Sequence, residues 1–147
     1  MTVVLYLLAL LCGAALTVQI GANATVRGHL HDNAGAAALA SFVVGIVALL
    51  SYLLAARLPW PERSAIQSVP AWGWAGGLLG AFYVVAGTVL GPRLGATAFL
   101  SLVILGQLLA ALAVDHFGVL GFPQHSLSLA RVAGAALLLA GALLVTR

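Results

Sequence analysis

Charge is scarce in this sequence. Only 6% of its 147 residues are charged, only three are acidic, and lysine is absent, so all six basic residues are arginines. Soluble domains carry about 25% charged residues, and so deep a shortage excludes a water-soluble globular protein. Cys12 is the single cysteine, which excludes an internal disulfide. The arginines stand near the ends of apolar runs, which is typical of membrane topology signals and not of a nucleic-acid-binding surface.

Long hydrophobic runs take the place of the missing charge. Hydrophobic residues make up 63% of the chain, and its mean hydropathy is +1.16. A helix of about 20 residues crosses a hydrocarbon core of ~30 Å, and lipid cannot satisfy the backbone groups of an open strand. The sequence therefore predicts an all-α membrane protein with a single domain, residues 1–147. Its five predicted transmembrane helices are 3–24, 34–56, 70–90, 94–114 and 129–145.

Short connections with helix-breaking residues separate the five runs. Gly91 followed by Pro92 predicts a tight break between the third and fourth helices. Ser126 or Ser128 is the predicted cap of the fifth helix. Because the connections are short, we expect consecutive helices to be antiparallel neighbours.

The positive charges give no preferred orientation in the membrane. With the N-terminus in the cytoplasm, three arginines fall on each side, so the usual cytoplasmic excess is absent. An even split can arise by chance. Its alternative is dual topology, in which copies insert in opposite orientations and pair, so that one gene with an odd number of helices builds inverted repeats. The inner set is Arg57, Arg63 and Arg131, and the outer set is Arg27, Arg93 and Arg147.

Glycines mark two helix faces that allow close packing. Gly134 and Gly141 are seven residues apart and share nearly one face of the fifth helix. We predict that these two residues form the dimer interface. The third helix offers the alternative contact, a stripe made of Gly73, Gly77, Gly80, Gly87 and Gly91.

Uncharged polar side chains inside the spans are the main functional signal. Gln19 and Asn23 lie four residues apart on one face of the first helix. We predict that they line a substrate path with Ser41 of the second helix and with Ser101 and Gln107 of the fourth. The alternative role is interhelical hydrogen bonding, worth ~0.6 kcal/mol per bond on average.

Asp115 is the acidic residue that adjoins a predicted span, and two roles are open to it. It is either a coupling residue for transport or a solvated side chain at the membrane interface. His29, His31 and Asp32 share a connection but fall short of the about four ligands of a structural metal site. The sequence contains no nucleophile–base pair, phosphate loop or cofactor fingerprint. We therefore predict that the protein is not an enzyme and needs neither cofactor nor metal.

An ordered set of motifs runs along the chain: Gln19 and Asn23, Ser41 and Phe42 with Gly45, Gly77 and Gly80, Leu94 to Ala96, Gly106 to Leu108, and Asp115 to Gly118. This set resembles the YdcZ-like bacterial inner-membrane family of the drug/metabolite transporter superfamily, over essentially the whole chain. The resemblance implies a five-helix half-transporter that pairs in antiparallel fashion. Small multidrug resistance transporters of that superfamily use a glutamate in their first helix for proton and cation exchange. Residues 3–24 contain no acidic residue, so this coupling is not implied here.

Three functions fit these observations. The first is a small-molecule transporter with alternating access, an antiparallel homodimer of ten helices in the bacterial inner membrane. Since only uncharged groups lie deep in the spans, we expect a neutral or weakly polar substrate. The alternatives are a small-ion channel and a non-transporting accessory subunit. The predicted partners are the lipid bilayer, a second copy of the chain and a small molecule, without nucleic acid.

Overall fold

The computed structural model describes residues 2–147, and these residues form helices and turns without a β-strand. The predicted all-α class is therefore confirmed. The helices are α1 (Thr2–His29), α2 (Ala34–Ala55), the short α3 (Arg63–Gln67), a 3₁₀ helix (Ala71–Trp74), α4 (Ala75–Leu94), α5 (Ala96–Phe117) and α6 (Leu129–Val145).

Four segments of the described chain are long and apolar enough to cross a membrane. They lie within α1, α2, the 3₁₀ helix joined to α4, and α5. These four correspond to four of the five predicted spans. The fifth, α6, is apolar but has 17 residues, and at 1.5 Å per residue it rises about 25 Å. Its crossing of the membrane stays a prediction.

Helix α1 runs beyond its predicted end at residue 24 and stops at His29. Two features stand in this added part of the helix. The hydroxyl of Thr25 donates to the carbonyl of Gly21 within the helix over 3.0 Å. The basic residues Arg27 and His29 stand in the last turn, where they interact favourably with the helix dipole. Helix α2 begins at its predicted residue, with Asn33 accepting a hydrogen bond from the backbone N–H of Ala36 at 2.9 Å.

The predicted break at Gly91 and Pro92 is wrong, because Pro92 lies inside α4, which continues to Leu94. The chain instead turns at Gly95, whose φ of 82° is a conformation that glycine adopts at little cost. A proline this near the end of a helix removes a single hydrogen bond, the one from its own nitrogen to the carbonyl four residues earlier. That carbonyl belongs to Thr88.

Arg27 supplies the hydrogen bond that Pro92 cannot make. Its Nη1 donates to the Thr88 carbonyl over 3.1 Å. Thr88 is fully buried, so without Arg27 this carbonyl would be left without a partner in an apolar environment. The Nη2 of Arg27 pairs with the Asp32 carboxylate at 2.6 Å. The end of α1 is thereby joined to the last turns of α4.

The chain divides into two compact units, the first ending at Pro92 and the second running from Arg93 to Arg147. The predicted single domain of five spans stays a prediction. In the first unit α1 packs against α2, where Ala37 and Ala38 are buried. Ile20 of α1 lies against Gly91 of α4 so closely that a Cβ on Gly91 would stand 2.7 Å from its Cγ2. Within the predicted glycine stripe, Gly91 therefore permits a close helix contact, whereas Gly77 has open space around it.

In the second unit α5 packs against α6, and the connection between them folds back over the end of α5. Ala135 and Ala142 form the buried side of α6. The backbone N–H of His125 donates to the Asp115 carbonyl at 2.7 Å, and Nε2 of Gln124 donates to the His116 carbonyl at 3.0 Å. Two carbonyls at the end of α5 thus receive partners.

Of the two predicted caps of the last helix, Ser128 is the one used. Its hydroxyl accepts a hydrogen bond from the backbone N–H of Arg131 at 3.3 Å. The start of α6 at Leu129 and its end at Val145 agree with the predicted bounds.

The contact between Arg27 and Thr88 predicts an energetic coupling between Arg27 and Pro92. Arg27→Met should lower the free energy of unfolding by about 1–3 kcal/mol, since it leaves a buried carbonyl unsatisfied. In a Pro92→Ala background, where residue 92 regains its N–H, the same substitution should cost at least 0.5 kcal/mol less, roughly the smallest coupling that such cycles resolve. Unfolding of the four proteins in detergent measures both quantities.

Arg93→Met is the matched control, because Arg93 lies at the same end of α4 and is exposed. Its loss should change stability by less than about 0.5 kcal/mol. Equal costs of Arg27→Met with and without Pro92 would contradict the proposed compensation.

Candidate functional site

A groove that carries two polar side chains opens in the first unit between α1 and α2. Its volume is about 260 Å³. Gln19 enters it from α1 and Ser41 from α2, and Gly45 leaves room beside them because it has no side chain. Two of the predicted path residues are therefore neighbours in space. The remaining lining is apolar and consists of Phe42, Ile46 and Leu49.

Asn23 continues the polar face of α1 one turn beyond Gln19. Its side chain is buried, with 5% of the residue exposed. An amide buried in a membrane helix is costly unless it is hydrogen-bonded. Apolar contacts alone therefore do not satisfy the Asn23 side chain. In the same unit the hydroxyl oxygen of Tyr83 on α4 is buried without a hydrogen-bond partner among residues 2–147. Both groups are polar atoms held inside an apolar unit.

The two predicted path residues of α5 differ in their surroundings. The hydroxyl of Ser101 donates to the carbonyl of Thr97 over 2.8 Å, so its own helix satisfies it. Gln107 is exposed on the surface of α5. We predicted that the amides of α1 face Gln107 and Ser101 across a cavity. This arrangement stays a prediction.

Asp115 is held in an ion pair. Its Oδ2 lies 3.1 Å from Nη1 of Arg131 in the first turn of α6. The same nitrogen lies 3.4 Å from the carbonyl of His125. Asp115 is thus a partly buried anchor between α5 and α6, and any coupling role would require it to exchange this partner. The pairing of these two residues was not predicted, although their opposite charges at facing helix ends were an available signal.

A second cleft, which the sequence did not predict, runs between α5 and α6 with a volume of about 320 Å³. One end carries the ion pair of Asp115 and Arg131, and the rest is apolar. The apolar lining comes from Leu108, Ala111 and Leu112 on α5 and from Gly134, Ala135 and Leu138 on α6.

The two glycines of the predicted dimer interface are exposed on α6. A Cβ placed on Gly134 or on Gly141 would meet no atom of the described chain within 4 Å. Packing within one copy therefore does not require a glycine at either position.

Metal binding finds no support in the geometry of the described residues. No group of three or more His, Cys, Asp or Glu side chains within residues 2–147 is placed to hold an ion. The histidines near Asp32 share a turn with it, but Asp32 instead pairs with Arg27.

The comparison with known proteins assigns the family. The family model described as "Putative inner membrane exporter, YdcZ" matches residues 4–144. The chain belongs to the YdcZ family. It is 33% identical over 111 residues to the inner membrane protein YdcZ of Escherichia coli (strain K12). The aligned region covers 76% of this chain and 74% of that protein. No solved structure shows significant similarity to the chain.

The family match confirms the resemblance that the ordered motifs indicated. With the apolar helices, it identifies a multi-pass protein of the inner membrane. A family of inner-membrane exporters also indicates a transporter-type function and favours this over an enzyme.

The ion pair of this YdcZ-family chain yields a stability prediction. Arg131→Met should lower the free energy of unfolding by about 1–3 kcal/mol, because it removes a charged donor from a partly buried carboxylate. Asp115→Asn should cost less, because an amide oxygen still accepts a hydrogen bond from Arg131. A double-mutant cycle in detergent should show a coupling of at least about 0.5 kcal/mol.

Arg147→Met, at the exposed end of the chain, serves as the control for loss of an arginine. Strictly additive effects at positions 115 and 131 would show that the contact does not hold α5 to α6.

Proposed function

We propose that the chain is a small-molecule transporter that works as an antiparallel homodimer with alternating access. The observation that carries this proposal is the groove between α1 and α2, where Gln19 and Ser41 face an open space in a member of an exporter family. An amide and a hydroxyl facing an open space between spans are suited to bind a solute in transit, whereas a purely structural pair would be expected to close on each other.

The proposed second copy would cover helix surface that one chain leaves exposed. Within residues 2–147 the buried hydrophobic residues are few and mostly small, with Ala37, Ala38, Ala135 and Ala142 among them. The exposed glycines Gly134 and Gly141 offer a face where another helix can approach closely. We therefore assign the homodimer contact to this face of α6.

The antiparallel arrangement is supported by the charges. Arg27 and Arg93 stand in the last turns of α1 and α4, and Arg131 stands in the first turn of α6. The two ion-paired arginines, Arg27 and Arg131, belong to opposite predicted sides. When these two paired arginines are left out of the count, two arginines remain on each predicted side of the membrane. The charge balance that favours dual topology is therefore preserved.

The proposed architecture also requires α6 to cross the membrane. Its 17 residues match the lower end of the range of about 17–25 for a spanning helix. A crossing by α6 makes five spans per copy and ten in the dimer, and inverted repeats of this kind place a binding site near the middle of the bilayer.

The lining of the groove indicates the class of substrate. Its polar side chains are an amide and a hydroxyl, without a charged group. A fully desolvated ion would lack a counter-charge there, so we propose a neutral or weakly polar substrate. The volume of about 260 Å³ is close to the lower limit of ~300 Å³ for ligand pockets, which suits a small solute.

Transport assays on variants test the path. In proteoliposomes with a panel of neutral and weakly polar compounds, Gln19→Leu should reduce saturable uptake by at least about tenfold, which corresponds to losing one hydrogen bond of ~1.4 kcal/mol. Gln107→Leu should act likewise, and Asp115→Asn should be milder. Thr17→Val is the matched control, because the Thr17 hydroxyl bonds its own helix at the Gly13 carbonyl and should leave uptake unchanged.

Three other outcomes of these assays would favour a different function. Loss of uptake in Asp115→Asn with full activity in both leucine variants would move the function to the carboxylate. Non-saturable ion flux would identify a channel. Absence of flux across the whole panel would identify an accessory subunit.

A further inference from the structure

The α5–α6 cleft combines a charged end with an apolar length. We propose that it holds one phospholipid with a primary ammonium head group, the head at the ion pair of Asp115 and Arg131 and an acyl chain along the helices. The inference concerns a site separate from the Gln19 groove and does not depend on transport.

The direction of the cleft fits a lipid. Leu108 precedes Asp115 by seven residues on α5, and Leu138 follows Arg131 by seven on α6. At 1.5 Å per residue the cleft extends about 10 Å from its charged end. Asp115 lies near the C-terminal end of α5 and Arg131 near the N-terminal end of α6, the depth at which head groups meet a spanning helix. From this charged end, the apolar part of the cleft runs toward the middle of each helix.

The charges of the cleft match those of the head group. Arg131 is 36% exposed and Asp115 29% exposed, so both remain reachable beside their own contact. A guanidinium binds phosphate oxygens in a planar, two-pronged geometry, and a carboxylate accepts the N–H groups of a primary ammonium. Phosphatidylethanolamine offers both groups. A choline head has no N–H to donate, and a glycerol head has no cation.

The cleft and the proposed dimer face share one residue and are otherwise distinct. Gly134 belongs to both, while Gly141 does not line the cleft. Ala111 and Leu112 form the wall on α5. Variants of α5 therefore test the lipid without altering the proposed dimer contact.

Lipid retention tests the proposal. The full-length protein is exchanged into detergent with equimolar phosphatidylethanolamine, phosphatidylcholine and phosphatidylglycerol, and native mass spectrometry counts the bound lipids. We expect one retained phosphatidylethanolamine, favoured about tenfold over each of the others, from one charge-assisted hydrogen bond. Asp115→Asn should reduce the preference over phosphatidylcholine, while Arg131→Gln should weaken retention of all three lipids.

Ala111→Phe should fill the cleft and abolish the retained lipid. Ala110→Phe is the matched control, since the neighbouring residue is exposed but does not line the cleft. Leu138→Phe provides a second filling variant on α6, and circular dichroism establishes that each protein is folded.

Equal retention of the three lipids, or equal behaviour of Ala111→Phe and Ala110→Phe, would overturn the proposal. A loss of lipid whenever the protein dimerises would also overturn it, because the cleft would then be covered by a second copy.

Discussion

Hydrocarbon offers a peptide group no hydrogen-bond partner, and this constraint accounts for how the helices of this chain end and meet. Pro92 leaves the Thr88 carbonyl without its helical partner, and Arg27 reaches across from α1 to supply one. Two carbonyls at the end of α5 are also satisfied from outside the helix. The connection to α6 folds back, and its residues donate to the carbonyls of Asp115 and His116. Arg27 and Gln124 are thus polar side chains that complete the backbone of the chain.

The polar groups that the backbone does not use are the ones to which the proposed function assigns a role. Gln19 and Ser41 face an open groove, and the Tyr83 hydroxyl is buried without a partner among residues 2–147. In the proposed dimer a second copy in the opposite orientation would present the same groups again, related by an axis in the membrane plane. An unpaired glycine face on α6 and a balanced set of arginines are the features of one chain that suit such a pairing.

Hydropathy was sufficient to predict the helical class and four spans, because segment length and apolarity determine whether a helix can cross a bilayer. The helix ends were harder to predict. The expectation that Pro92 breaks the helix misplaced the end of α4, since the Thr88 carbonyl receives a hydrogen bond from Arg27, which lies far away in sequence. Gln19 and Ser41 were grouped only as polar residues within the spans, and the structure places both in one groove. The ion pair of Asp115 and Arg131 did not, because it depends on how the intervening loop folds.

In the proposed function, one chain is half of a functional unit and needs a copy in the opposite orientation. Two variants test it most directly: His29→Lys with His31→Lys adds positive charge at the connection after α1, and Glu62→Lys with Ser64→Lys adds it at the connection after α2. Dimer yield in membranes is measured by native mass spectrometry for each variant alone and for both together. Dual topology predicts little dimer from either variant alone and full recovery of dimer on co-expression. Wild-type dimer yield from each variant alone would contradict it.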